Sequence, residues 1–449
     1  MVEYATFGAN PKIYHLNNII LHLLNCLALY VVVGLFLRAS QLQHHYRIIA
    51  AVISASLFAI HPQHVETVVW VADRKGLLCT FFLLLSFAAY LNFSCNTKSV
   101  VGSLWFKAAF VAYLLALLSK PSAVVWPCVL VFVDILWLNR LDFQQRFSVK
   151  IKMLFSLFIE KWAFILLAMA IAFVTLYTQD RLASLSAGSS QVDLVIRLFN
   201  AIYYLFFYLY SFLIPFNVSP FHFYPEFLAV KPAWTSLALI LGFILTSLSC
   251  VSLFFKNRYW PLLIWLCIII MLLPVSGIVK VGAAAGADRY TYLSLIPLYI
   301  LTGVIVAYSF QSRSFIRKSL SAAFILYSFI TFTFLSKSYV HIWRSDIPMW
   351  THAINSGAKY SALPYLGIAA AYYDRSEFGK ALEYFILADE HGGHDYYELY
   401  IKFAHCYREL GMDSFAQQVY QHMLDNVALL PEQMERINRE LRSLNGRAP

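Results

Sequence analysis

Apolar residues run in long stretches from about Tyr14 to about Leu335, and short polar stretches punctuate them. The stretches lie at about 14–37, 47–60, 76–93, 104–119, 121–138, 153–178, 195–214, 233–255, 261–279, 290–310 and 317–337. Most approach the ~20 residues that a helix needs to cross hydrocarbon. None alternates with the period of two that marks a barrel strand, so the pattern predicts helices, which satisfy their own backbone in lipid. Beyond residue 337 the pattern changes. Tyr365, Ile368, Ala369, Tyr372, Ala381, Phe385 and Ala388 place large and small residues at the spacing of a helical hairpin. Tyr400, Phe403, Ala404, Tyr407, Ala416 and Tyr420 repeat the set 35 residues later. A half-repeat precedes them at Trp350 and Ala353, and Pro431 stands near the expected terminator. Small residues let paired helices approach and aromatics fill the layers between, as in tetratricopeptide repeats. The predicted fold class is therefore all-α. A polytopic transmembrane helical bundle spans 1–337, and a tetratricopeptide-repeat helical hairpin domain spans 338–449, with repeats at about 362–395 and 397–431.

Composition agrees with the pattern: 60% of the 449 residues are apolar, 13% are charged, and mean hydropathy is +0.64. Charge divides the chain at the same place. The first 337 residues hold ten acids and 24 Lys and Arg, a net of +14; the last 112 hold 14 acids and 10 bases, a net of −4. Positive-inside loops account for most of the basic excess, with anionic lipid or phosphate partners as a further source. No stretch resembles a nucleic-acid module. The seven cysteines form no C-x-x-C pair, which reads as small core residues and not as a disulfide or metal framework. The first apolar segment is too long, and lacks the basic flank, for a cleavable signal peptide.

Topology follows from the basic loops at Arg38–Arg47, Lys98–Lys107, Arg140–Lys152, Lys256–Arg258 and Arg313–Lys318. All five fall on the cytoplasmic face only if one segment between the third and fourth does not cross. The segment at 195–214, with Arg197, Asn200, four tyrosines and a closing Pro215, is assigned as re-entrant or interfacial, leaving about ten crossings. The His61–Gly76 loop, the 280–289 loop and the soluble tail then share the outer face.

Chemistry concentrates on that face. His61, His64, Glu66, Asp73, Arg74 and Lys75 lie in one polar stretch; read as a helix, it puts Glu66, Trp70, Asp73 and Arg74 on one side. Lys120 follows the end of a helix. Asp288, Arg289 and Tyr290 follow a run of small residues, and Pro220-Phe221-His222-Phe223-Tyr224-Pro225 adds an aromatic loop. Ionisable groups at membrane depth are functional candidates because they are costly to place there. Arg289 and Lys120 suit a lipid phosphate, the one as a bidentate fork and the other as a point charge. The bland alternatives are a snorkelling Lys120, an Arg289 paired structurally with Asp288, and structural ion pairing of Glu66 and Asp73. Zinc at His61, His64 and Glu66 is disfavoured: no H-E-x-x-H is present, and Pro62 perturbs the spacing.

In order and spacing these stretches resemble one family. They are Asn10-Pro11…His15…Asn18…His22, His61-Pro62…His64-Val65-Glu66…Asp73-Arg74-Lys75, Ser119-Lys120-Pro121…Asp134, Arg197…Asn200, Tyr224-Pro225 and Ala287-Asp288-Arg289-Tyr290. The family is the polytopic C-type membrane glycosyltransferases with C-terminal tetratricopeptide repeats, similar to the transmembrane O-mannosyltransferases and their bacterial counterparts. The resemblance implies a GT-C-like transmembrane domain. It implies transfer of a sugar from a polyprenyl-phosphate-linked donor to a protein or glycan hydroxyl on the outer or lumenal face, with no metal. Carried onto this chain, it gives Arg289, Lys120 and Arg74 to the donor phosphate. It gives His61, His64, Asp288, Tyr290 and Tyr224 to the site lining, and Glu66 and Asp73 to the catalytic carboxylates. The family pattern has one more N-terminal helix and an acidic outer loop, of which only Glu3 is matched here. The expectation is thus a shortened member or one that has lost catalysis.

The partners expected are a membrane lipid carrier and a protein acceptor or partner bound through the repeats. Short loops favour a bacterial inner membrane, with the endoplasmic reticulum membrane as the alternative and the repeats periplasmic or lumenal. Two other readings compete. A repeat-bearing membrane scaffold without catalysis needs only one or two anchoring helices. A polyprenyl-lipid transporter predicts polar groups on both faces and internal symmetry, which the chain does not show.

Overall fold

The computed structural model describes residues 2–96, 104–185, 194–222, 233–278, 286–392, 397–427 and 429–445. Among them there is no strand; one isolated antiparallel bridge joins His222 and Gly286. The chain is an integral multi-pass all-α protein.

The membrane part comprises α1 (Val2–Phe7), α2 (Pro11–Phe36), α3 (His44–Ile60), α4 (Val65–Val69), α5 (Arg74–Asn96), α6 (Leu104–Ser119), α7 (Trp126–Leu136), α8 (Phe147–Glu160), α9 (Trp162–Leu185), α10 (Leu194–Leu213), α11 (Ala233–Phe255), α12 (Trp260–Leu272), α13 (Thr291–Ser294), α14 (Ile296–Gln311) and α15 (Phe315–Ile342). Among the described residues, five helices are long and apolar enough to cross a bilayer, or up to eight if each of three bent pairs counts as one span. The bent pairs meet at 58°, 61° and 58°, at His61, Lys161 and Leu295. Three further apolar helices are shorter. The 16 residues of α6 reach only ~24 Å at 1.5 Å each, less than the ~30 Å of hydrocarbon, so about ten crossings would require such short helices to cross as well. The segment assigned as re-entrant is one unbroken helix of 20 residues, α10, long enough to cross; the reason to exclude it was charge, not length.

The core packs α2, α3, α5 and α6 against α7, α12 and α14. α3 and α14 approach closely. At Gly303 a methyl group would strike Ser54 Oγ and the Ala50 carbonyl, while Ser54 itself donates to Ala50 O and Tyr299 O. Gly303→Leu should therefore force the pair apart, costing about 1–3 kcal/mol by overpacking, measurable as a lower unfolding midpoint in detergent.

Polar groups collect at the two ends of this bundle. At the end carrying the 140–152 loop, Tyr90, Asp134, Arg140, Glu160 and Lys161 form one buried network. Arg140 reaches both Glu160 oxygens at 2.6 and 2.8 Å and Asp134 at 3.1 Å. Tyr90 donates to Asp134 at 2.7 Å, and Lys161 is paired with Asp134 and with Glu160. Because Glu160 and Lys161 sit at the break between α8 and α9, the network fixes that 61° bend. The other end carries the loop between α3 and α5. Arg74 opens α5 there and Tyr90 lies sixteen positions on, so the two ends are about 24 Å apart along that helix.

The remaining helices are α16 (Asp346–Asn355), α17 (Ala362–Tyr373), α18 (Phe378–Glu390), α19 (Tyr397–Glu409), α20 (Asp413–Asn426) and α21 (Pro431–Asn445). They pack as successive antiparallel pairs. Ala369, Ala381, Ala404 and Ala416 are fully buried, each 35 positions from its counterpart, and Phe385 stacks on Phe403 at 5.4 Å to join one hairpin to the next. Trp350 of α16 rests on Gly367, where any side chain would enter its ring.

Candidate functional site

Pro62 and a run of β-branched residues decide the shape of the polar loop. His61 is extended before Pro62, as the proline ring requires. Pro62–His64 forms a 3-10 turn, α4 lasts five residues, Trp70 is extended again, and Val71–Asp73 makes a second 3-10 turn. Val65, Thr67, Val68, Val69 and Val71 are poor at sustaining a helix. The single helix expected over this stretch is thus replaced by a broken path. Glu66, Asp73 and Arg74 no longer share a side; each meets a partner from a different part of the chain.

Glu66 is fully buried and paired with Arg289, both through the guanidinium Nη1 and through the backbone N–H, which donates to Glu66 Oε2 at 2.8 Å. Trp70 and Tyr290 flank the guanidinium, with ring centroids 4.9 and 5.1 Å from its central carbon. Lys120 donates to Asp73 Oδ1 at 3.3 Å. In both pairs the carboxylate is buried (0% and 1%) while the cation keeps some exposure (17% for Arg289, 19% for Lys120). The carboxylates therefore orient two cations whose remaining N–H groups are available to an anion. Gly76 makes room for Asp73: a methyl there would lie 2.8 Å from its Oδ2.

Other residues expected in the site are spent elsewhere. Arg74 pairs with Glu3, donates to Asn18 Oδ1 at 2.8 Å and to the Tyr14 carbonyl at 2.9 Å, and so ties α1, α2 and α5 together. That bond holds the Glu3 carboxyl below its ordinary value, an anion matched to Arg74. His61 contacts the Phe212 carbonyl at 3.0 Å through Nε2 and receives the Gln63 N–H at Nδ1. His64 contacts the Phe58 carbonyl at 2.8 Å and the Tyr299 hydroxyl at 3.2 Å. Both rings are buried, and both nitrogens of each are occupied in holding helix ends, so neither lines an open site or shares a ligand with Glu66. His22, which no sequence pattern singled out for a role, does the same between Ala59 O at 3.0 Å and Tyr292 OH at 2.7 Å. Tyr224 lies outside the described residues.

Asp288 is fully buried and does not pair with Arg289. Its Oδ1 lies 3.0 Å from His222 Nε2, and its Oδ2 accepts the Ser219 N–H at 2.8 Å. The segment from Val218 to His222 is held from its other side by α16: His352 Nε2 lies 2.9 Å from the Val218 carbonyl, and Phe221 meets Trp350 edge to face. The first of the C-terminal helices thus abuts the loop that borders the site. One end of an apolar bundle therefore holds two oriented, part-exposed cations and a buried Asp–His pair, beside a helical-hairpin stack.

Sequence comparison finds partial matches to one group of proteins. The mouse (Mus musculus) Protein O-mannosyl-transferase TMTC4 is 31% identical over 151 residues, 31% of this chain and 20% of that protein. The human (Homo sapiens) TMTC4 is 36% identical over 92 residues, 19% of this chain and 12% of that protein. The human Protein O-mannosyl-transferase TMTC3 is 31% identical over 115 residues, 26% and 11% of the two chains. The chain is a distant relative of the TMTC protein O-mannosyl-transferases. The matches span a fifth or less of these TMTC proteins. No protein-family model and no solved structure matches the chain.

Proposed function

We propose that this protein is a membrane glycosyltransferase that moves a sugar from a polyprenyl-phosphate carrier to a hydroxyl of a protein acceptor. The observation that carries this reading is the pair of part-exposed cations, Arg289 and Lys120, each aimed by its own buried carboxylate at one end of an apolar bundle. A lipid phosphate has its charge at that depth and its hydrocarbon in the bilayer beside it. The name of the TMTC relatives adds support for the class of reaction.

In this reading the acceptor oxygen attacks the anomeric carbon and the polyprenyl phosphate departs. Negative charge grows on the departing phosphate, where Arg289 and Lys120 stabilise it without having to reorganise. Glu66 and Asp73 serve as orienters of those cations. Trp70 and Tyr290 hold the guanidinium plane. The C-terminal helices act as tetratricopeptide repeats that present the acceptor on the same face, consistent with the contact of α16 on the Val218–His222 segment. That face is the periplasmic or lumenal one.

The test is sugar transfer by the purified full-length protein in detergent, using radiolabelled polyprenyl-phosphate sugars and protein acceptors. Wild type should transfer, and Arg289→Ala should lose about 10²–10³-fold in rate. A folded wild-type protein inert across several sugars would favour the scaffold reading and move attention to the hairpin stack.

A further inference from the structure

A cavity of about 440 Å³ lies inside the bundle, walled by α2, α5, α7, α12 and α14. Ligand sites have volumes of about 300–1,000 Å³. The walls are aliphatic and aromatic along almost their whole length. On α14 they run from Ile296 to Tyr308, a rise of ~18 Å. That is close to the ~15 Å depth of one leaflet, half of the ~30 Å of hydrocarbon. The slot opens sideways between α12 and α14, where its lining residues Trp260, Ile305 and Tyr308 are exposed. In a bilayer that opening faces acyl chains.

Polarity gathers at the end opposite the Arg289–Lys120 pair. There Ser40, Arg258 and Tyr308 join the lining. Each belongs to or adjoins a different basic loop: Arg38–Arg47, Lys256–Arg258 and Arg313–Lys318. Trp137 and Trp260 line the same end, as indoles do at the level between headgroup and hydrocarbon. Ser40 is spent on its own turn, donating to the Leu37 carbonyl at 2.6 Å. Arg258 is exposed, and neither its guanidinium nor the Tyr308 hydroxyl has a partner among the described residues. An acid is close in the chain that packs beside it, since Phe143 meets the Tyr259 ring. Yet Asp142 bonds Gln144 and Gln145 instead. The mouth of an apolar slot therefore carries a cation without a counter-ion.

We infer that this cavity holds one acyl chain of an anionic phospholipid, with the lipid phosphate on Arg258 and the Tyr308 hydroxyl. The slot has the depth of a leaflet, and its charged end lies where the headgroups lie. A guanidinium offers a phosphate two N–H groups at once. The three basic loops raise the local concentration of anionic lipid. The polyprenyl carrier is the competing occupant, because Leu293 of the lining follows Arg289 by one turn. Polarity argues against it: with its phosphate at Arg289, the carrier would lay its isoprenoid chain against Arg258 and the Tyr308 hydroxyl. The acyl chain fills the gap between α2, α5 and α7 on one side and α12 and α14 on the other. A lipid that binds only this folded arrangement stabilises it, and that role does not require sugar transfer.

The experiment uses the purified full-length protein in mild detergent, with phosphatidylglycerol or phosphatidylcholine carrying a diazirine on one acyl chain. After illumination, phosphatidylglycerol should label lining residues such as Ile264 and Ile300 about 5-fold more than phosphatidylcholine does. Arg258→Gln changes an exposed position, so the variant should fold like wild type and lose that preference. Unlabelled phosphatidylglycerol should raise the unfolding midpoint of wild type and raise that of Arg258→Gln less. Label confined to outward-facing residues such as Leu326 would overturn the proposal. So would equal labelling by the two lipids, or a preference that survives Arg258→Gln. Excess polyprenyl phosphate that clears the cavity label from wild type, but not from Arg289→Ala, would give the slot to the carrier and overturn the proposal as well.

Discussion

Replacing Glu66 by alanine is expected to damage the protein more than replacing its partner, Arg289. The two changes break the same ion pair but leave different remnants. Arg289→Ala leaves a buried carboxylate, which can take up a proton and become neutral. Glu66→Ala leaves a guanidinium mostly removed from water, which cannot give up its charge. It also strips the Arg289 backbone N–H of its acceptor at 2.8 Å. Breaking a buried pair in this way costs about 3–5 kcal/mol, much of it from the charge left behind. Glu66→Ala should thus lower the unfolding midpoint in detergent well below that of Arg289→Ala, and it should abolish transfer because Arg289 is no longer aimed. Glu66→Gln keeps the shape and an acceptor oxygen and should fall between wild type and Glu66→Ala in stability. Equal midpoints for Glu66→Ala and wild type would mean that the pair is not buried as described.

The second large effect is expected far from the site. Lys161 and Asp134 are fully buried, with Glu160 nearly so, and all three share the network with Arg140. Lys161→Met leaves two carboxylates facing a single guanidinium, a net buried negative charge, and should cost about 3–5 kcal/mol. Adding Asp134→Asn to Lys161→Met removes one charge of each sign and leaves the Arg140–Glu160 fork, so the double variant should recover most of that loss. The break between α8 and α9 depends on these bonds, so Lys161→Met should also reduce the yield of monodisperse protein. A double-mutant cycle read by thermal unfolding would measure this coupling directly. Additive effects of the two changes would show that Lys161 and Asp134 do not act as a pair.

These partnerships mark where reading the chain succeeds and where it stops. The apolar stretches and the repeated aromatic and alanine positions were legible because periodicity is local: Ala369, Ala381, Ala404 and Ala416 are buried where the 35-residue spacing placed them. The singling-out of Arg289 and Lys120 rested on residue type and depth, and the structure leaves both part-exposed. Pairing was not legible. Glu66 and Arg289 are 223 positions apart, and His222 and Asp288 are 66 apart, so only the packing of distant helices brings them together. Arg74 and His64 were read as site residues because charge and imidazole are rare in apolar surroundings. The same rarity serves residues that anchor helix ends, and only their bonded partners separate the two uses. Glu160 and Lys161 drew no attention because they sit inside an apolar stretch, although a Glu-Lys dipeptide there was itself a sign of a break in the helix. The polar loop failed as a helix because Pro62 and five β-branched residues outweighed the spacing of its charged groups.

The central claim is that Arg289 and Lys120 receive a lipid phosphate. The most direct measurement is equilibrium binding of a polyprenyl phosphate, and of the matching polyprenol, to the purified full-length protein in detergent, for wild type and for Arg289→Ala. Removing one charge-assisted contact of about 1.5–3 kcal/mol should weaken binding of the phosphate roughly 10- to 150-fold. Binding of the alcohol should be weaker than that of the phosphate in wild type and unchanged by the substitution. Phosphate and alcohol bound with equal affinity, in both proteins, would contradict the claim.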